Sequence, residues 1–213
     1  MNDHVIFLRE FISRFEETGS VAPSSRWAAE AMTRSVREAR APINILEVGP
    51  GTGPVTERIL ADMRESDTLT VCEINPRLLD ALKKKLSSNP NYIKNRNRVS
   101  FFEGPIQNMP ELIKYDTIVC AIPFTNLKVE VVEDIFNKLH RLCNPKTKIT
   151  FFEYIGLRKI GRLASLKDRR DRLASIDVFF KKLYTQNFNK ESENVWLNLT
   201  PIKVFTLSPK LAA

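Results

Sequence analysis

Residues 43–53 read INILEVGPGTG, and this stretch decides the fold. Its first part is a short apolar run rich in β-branched residues, the mark of a buried strand. The run stops at Gly49, Gly51 and Gly53, three of only 7 glycines in the chain. Glycines this scarce mark places where the backbone must turn sharply or approach a ligand without a Cβ in the way. The helical stretch that follows, about 54–65, offers free N–H groups at its start. Strand, glycine loop and helix start together form a nucleotide-type site.

Outward from this point the chain keeps one rhythm. Residues 68–73 read as a second strand closing on Glu73, and Pro76 opens a second core helix, as proline does at a first turn. Residues 88–97, SNPNYIKNRN, read as a polar connection. A third strand is expected at 98–102, a fourth at 115–121, a helix at 128–142 and a fifth strand at 147–155. Alternating strands and helices predict an α/β fold, a parallel sheet with helices on both faces.

Upstream, Phe7, Leu8, Phe11, Ile12 and Phe15 recur at helical spacing between charged residues. They predict an N-terminal amphipathic helix over 4–18 that ends near Gly19. Ser24 or Ser25 then caps a second helix running to about Arg40. Downstream, residues 156–193 break the rhythm with a run of Lys and Arg between Arg158 and Lys182, diluted by Asp168, Asp171 and Asp177. Residues 194–199 and 202–208 read as an antiparallel pair closing the sheet. The expected layout is one domain over 1–213: helices in 1–40, the cofactor core in 41–155, a basic insertion in 156–193 and the strand pair in 194–213.

The formal net charge of +8 predicts attraction to an anionic partner: nucleic acid, a membrane surface or an acidic substrate. Cys72, Cys120 and Cys143 are odd in number and lack metal-ligand spacing, so they read as buried reduced thiols of a reducing compartment. No metal set is expected. The two histidines, His4 and His140, are not placed as catalysts. No signal peptide is read at the start. No stretch approaches the roughly 18 apolar residues of a bilayer span, so any membrane contact is expected to be peripheral and cytoplasmic.

Glu47 sits just ahead of the loop, where it suits a ligand's cationic end better than a phosphate. The pattern G-P-G-T-G also departs from the G-x-G-x-x-G of nicotinamide and flavin enzymes. Glu47-x-Gly49-x-Gly51-x-Gly53 resembles instead the E-x-G-x-G-x-G form of methyltransferases that bind S-adenosylmethionine. Glu73, 20 residues after Gly53, can accept both ribose hydroxyls at its strand end. The expected cofactor set is Glu47, Gly49, Gly51, Thr52, Gly53, Glu73, Ile74, Ile106 and Ala121. At the third strand's end, residues 101–106 read FFEGPI, and Pro105 stands where such methyltransferases carry an acid for adenine. Adenine is then left to backbone groups near Ile106, or to Glu103.

In patches over almost its whole length, the chain resembles the bacterial phospholipid N-methyltransferases, which act on phosphatidylethanolamine, and the related ornithine-lipid enzymes. The patches are FLREF at 7–11, GSVAPSS at 19–25, LEVGPGTG at 46–53, AIP at 121–123 and WLNLTP at 196–201. The resemblance implies a seven-stranded, Rossmann-like class I methyltransferase sheet. It also implies that segment 21–25 borders the cofactor, and that the first helix touches a membrane. Two departures stand out: the family's Ser-Gly-Leu-Pro is Cys-Ala-Ile-Pro at 120–123, and its second C-terminal proline is Thr200.

The reading that follows is S-adenosylmethionine-dependent N-methylation of an amino-lipid headgroup at an anionic membrane. Methyl transfer from a sulfonium needs alignment and water exclusion rather than a nucleophile triad. The aromatic candidates for holding the amine are Phe124 and Tyr154, with core packing as their alternative role. The basic run either grips lipid phosphates or is a solvated helix face. The rival reading is a ribosomal RNA adenine N-methyltransferase. Ala121 weighs against it, because those enzymes place a side-chain acceptor at that position for the flipped base. A non-catalytic module is the third reading, opposed by the intact acids and glycines.

Overall fold

The computed structural model describes residues 25–155 and 167–210. The expected amphipathic helix over 4–18 and the first part of the basic run lie outside them. A seven-stranded sheet runs in the order β3-β2-β1-β4-β5-β7-β6. Its strands are β1 (Asn44–Val48), β2 (Thr68–Glu73), β3 (Val99–Glu103), β4 (Tyr115–Cys120), β5 (Cys143–Tyr154), β6 (Phe188–Val195) and β7 (Ile202–Pro209). Strands β1 to β5 pair parallel, and β7 enters antiparallel between β5 and β6.

This order has a direct consequence for function. From β1 the chain steps outward through β2 to β3, then returns to β4 on the other side. The crevice outside the carboxyl ends of β1 and β4 is the topological switch point, where open α/β sheets bind ligands.

Helices cover both faces. On one lie α1 (Arg26–Met32), α2 (Arg34–Glu38), α3 (Pro54–Asp62), α4 (Pro76–Leu86) and α5 (Pro90–Asn95). Met32, Ile59, Leu60 and Leu82 pack there against Ile45, Leu69, Val71 and Val204. On the other lie α6 (Val129–Leu142) and α7 (Lys167–Gln186), whose Phe136, Leu139, Ile176 and Phe180 meet Leu46, Ile118, Phe151 and Leu207. In α7 the buried positions Leu173, Ile176, Phe180 and Leu183 repeat at helical spacing, while Arg170, Lys181 and Lys182 are exposed. The described part of the basic run therefore has the solvated face of a packed helix.

Three expectations are corrected. The helix after Ser25 is two short helices broken at Thr33, whose hydroxyl bonds back to Ala29 O at 2.9 Å, and helical structure ends at Glu38. Residues 88–97 hold α5 rather than a plain connection. Asn89 Oδ1 accepts from both Asn91 N and Tyr92 N, and Pro90 takes the first helical position. The first strand of the closing pair is β6 at Phe188–Val195, not 194–199. Only its two end residues are buried, so it carries no apolar alternation to be read.

Candidate functional site

Glu47 and Glu73 come together through strand register. Glu47 pairs with Val71 across β1 and β2, so Glu73 lies two residues further along on the same face. Both carboxylates are buried, at 0% and 2% exposure. Glu73 Oε1 accepts the backbone N–H of Asn75 at 2.9 Å, which fixes its rotamer at the strand end.

Glu47 is different: neither of its oxygens has a hydrogen-bond partner. Burial pushes its pKa up to about 8, and the nearby charge of Glu73 adds to the rise. The Thr56 hydroxyl acts in the opposite direction but does not close a bond of good geometry with the carboxylate. Two orphaned carboxylate oxygens inside a fold are a standing demand for a cationic or donor ligand. The expectation that Glu47 faces the ligand is therefore qualified: its side chain lies wholly under the surface at the root of the loop.

The loop takes the shape the glycines allow. Gly53 has φ +88°, and a Cβ there would stand 2.4 Å from Leu82 Cδ1, so the loop docks directly on α4. Gly51 has φ +56° and open space where a Cβ would be, so the backbone there can be approached closely by a ligand. Thr52 is exposed, and its carbonyl accepts from Lys85 Nζ at 3.1 Å. The Gly49 N–H is spent on Cys72 O and the Ala121 N–H on Val48 O, which ties the loop and the end of β4 to neighbouring strands.

A pocket opens beside this loop. Its walls include Gly49, Glu73, Ile74 and Ile106 from the expected set. They also include Pro105, which stands at the place of the adenine acid, Ile122 of the family-like AIP patch at 121–123, and Val48, Cys72 and Gly104, which sequence reasoning did not assign to the site. Gly104 was findable: it is a glycine at a strand end, and its N–H bonds Glu73 O at 2.8 Å. Ile74 and Ile106 supply apolar walls, and Glu73 an acid at one end. Apolar walls, an acid and a glycine backbone are the chemistry by which a nucleoside with a cationic tail would be held.

Tyr154, at the end of β5, is half-buried against Phe152 with ring centroids 5.3 Å apart, and burial raises its pKa. Phe124 is 0% exposed, with its ring 4.9 Å from that of Phe136 and 5.6 Å from that of Phe151. Of the two roles left open for Phe124, substrate holding and core packing, the structure places its ring in the core. The chain turns through a 3₁₀ segment at Phe124–Asn126 and drops the ring into the core. Cys72 and Cys120 are buried free thiols, with Cys120 pushed up to about 12 by burial. Among the described residues no cluster of His, Cys, Asp and Glu could hold a metal, and no helix is long and apolar enough to cross a membrane.

Comparisons with known proteins agree with this geometry. The family described as "Methyltransferase domain" matches residues 45–146. An ornithine lipid N-methyltransferase from Singulisphaera acidiphila is 24% identical over 152 residues, 68% of this chain and 74% of that protein. A malonyl-[acyl-carrier protein] O-methyltransferase from Ilyobacter polytropus is 30% identical over 153 residues; these are 70% of this chain but only 49% of that protein. The glycopeptide N-methyltransferase MtfA, solved with S-adenosylmethionine, superposes with a TM-score of 0.64 at 14% identity, covering 84% of this chain and 92% of that one. With its sheet order, its glycine loop and the matching domain, the chain carries a class I methyltransferase domain, with S-adenosylmethionine as its cofactor.

Proposed function

We propose that the chain methylates the amine of a membrane aminolipid, a phosphatidylethanolamine-like or ornithine-lipid headgroup. The observation that carries the reading is where two family-like segments meet. Ser25, closing the 19–25 patch, donates its N–H to Asn198 Oδ1 in the 196–201 patch at 2.9 Å. Pro201 O in turn accepts the N–H of Ile155, just past the end of β5. The meeting point thus lies at the carboxyl edge of the sheet, the edge an acceptor must reach. The likeness to an ornithine lipid N-methyltransferase points the same way.

In this reading Glu73 takes the ribose hydroxyls, and Ile74 and Ile106 clasp the adenine. Gly49 to Gly53 lie along the amino-acid tail, with Thr52 at the loop tip and Glu47 beneath it. Bound there, S-adenosylmethionine supplies a methyl group on a sulfonium, a leaving group already activated. The protein's part is alignment and exclusion of water. The amine, its proton first given to solvent, would take the methyl, and the thioether would leave. Tyr154, kept neutral by its raised pKa, orients the amine and does not act as its base. Ala121 offers no side-chain acceptor to a flipped adenine, which disfavours the nucleic-acid alternative.

The test is label transfer. Full-length protein is incubated with methyl-labelled S-adenosylmethionine and either anionic vesicles holding phosphatidylethanolamine and ornithine lipid, or ribosomal RNA. Label is expected in the aminolipid; label in RNA alone overturns the proposal.

A further inference from the structure

The chain has two tryptophans, and both stand in one exposed patch. Trp27 lies in the first turn of α1 and is 39% exposed. Trp196, Leu197 and Leu199 lie in the turn between β6 and β7, at 63%, 66% and 85% exposure. Among the described residues the other exposed large apolar side chains are Ile93, Leu112, Ile113 and Val178, so half of the exposed set belongs to this turn and the start of α1. Trp27, Trp196 and Leu197 line a single groove between α1 and the turn.

Two features argue that the exposure is built in. First, the turn is held from inside. Asn198 Nδ2 donates to Thr200 O at 2.8 Å, and its Oδ1 accepts from Ser25 N, so the side chains on either side of Asn198 are left outward on a fixed backbone. Second, a cation sits on the patch. Arg26 stacks over the Trp27 ring with Cζ 4.2 Å from the centroid. Arg34 and Arg37 line the groove in ion pairs with Glu193 and Asp62, and Glu30 is met by Arg58.

Position completes the argument. Val195, Ile202 and Tyr154 are in register across β6, β7 and β5, so the turn leaves the sheet at the edge where the glycine loop and Tyr154 lie. Exposed tryptophans and leucines with Arg26 on the Trp27 ring are what the boundary of a phospholipid bilayer takes up, acyl chains meeting the apolar groups and phosphates the cation.

We infer that Trp27, Trp196, Leu197 and Leu199 form a docking surface that seats the catalytic edge on an anionic bilayer. The inference rests on the aminolipid reading and deepens it, since it says how a headgroup is reached without leaving its membrane.

The two tryptophans make the test direct. Full-length protein is added to anionic phosphatidylglycerol and phosphatidylethanolamine vesicles whose lipids carry bromine near the carbonyls. Tryptophan fluorescence is expected to be quenched. The variant Leu197→Ser with Leu199→Ser, which leaves charge unchanged, is expected to melt as the parent does and to bind vesicles at least tenfold more weakly. Its turnover of a water-soluble short-chain aminolipid should be unaltered. Vesicle binding without quenching, or binding unchanged in the variant, overturns the inference, as does a variant whose only change is a different oligomeric state. Quenching with no methylation of any lipid upholds the docking surface and sinks the substrate reading instead.

Discussion

The N–H of Ser25 is bonded to Oδ1 of Asn198 across 173 positions of sequence, so the entry to α1 and the β6–β7 turn are one structural unit. Ser25 is also the cap of α1, its Oγ accepting from Ala28 N at 3.2 Å. Asn198→Ala therefore removes partners from two elements at once. A loss of about 1–2 kcal/mol is expected, from one backbone N–H left unmet and one turn carbonyl released. Amide exchange at residues 25–28 should accelerate. Unchanged exchange there would show that the two elements are held independently.

Glu47 sets a pH signature. Its folded pKa of about 8 lies above the ordinary value of 4.5, so folding binds a proton there. Its contribution is complete below about 4.5 and is lost as pH rises through about 8, at no more than roughly 1.4 kcal/mol per pH unit. Glu47→Gln should melt above the parent at pH 8.5 and close to it at pH 5. A cationic ligand drawing on the Glu47 oxygens lowers this pKa, so cofactor binding at pH 7 should release a proton. Calorimetry in buffers of different ionisation enthalpy reads that release; identical heats in all buffers would remove Glu47 from the ligand's reach.

Glu73→Ala should weaken S-adenosylmethionine binding by about 100-fold, the order expected for losing charge-assisted hydrogen bonds to two hydroxyls. Glu73→Gln should fall between variant and parent. Titration calorimetry gives both values, and an affinity equal to the parent's would refute the ribose assignment.

Phe124→Leu separates the two roles the sequence left open for this ring. As a core residue it should cost about 1–2 kcal/mol and lower the melting temperature by a few degrees. The KM for the lipid acceptor should stay where it is. A raised KM with an unchanged melting temperature would return the ring to the substrate site.

What could be read from sequence follows from what periodicity carries. The central strands announced themselves as apolar β-branched runs, because a strand covered on both faces is apolar throughout. Glu47 and Glu73 were legible for the opposite reason: each is an acid closing such a run. β6 was misplaced because residues 188–195, FNKESENV, lie at the sheet's rim and alternate only weakly. α5 was missed because asparagine and proline serve turns and helix starts alike. The position of Phe124 after a strand leaves both its roles open, because no local pattern reports that a 3₁₀ turn sends the ring inward. Pro105 and Ile122 reach the pocket from the segments just past the ends of β3 and β4.

One consequence of the strand order concerns what the molecule avoids. The outermost position on the β7 side belongs to β6, studded with Lys190, Glu191 and Glu193, and not to β7 with its Val204, Phe205 and Leu207. Had the two been exchanged, a greasy ribbon with unsatisfied amides would lie open as a template for another chain. Charge on the outer ribbon makes stacking of copies edge to edge unfavourable, which guards the fold against fibrillating when copies crowd together.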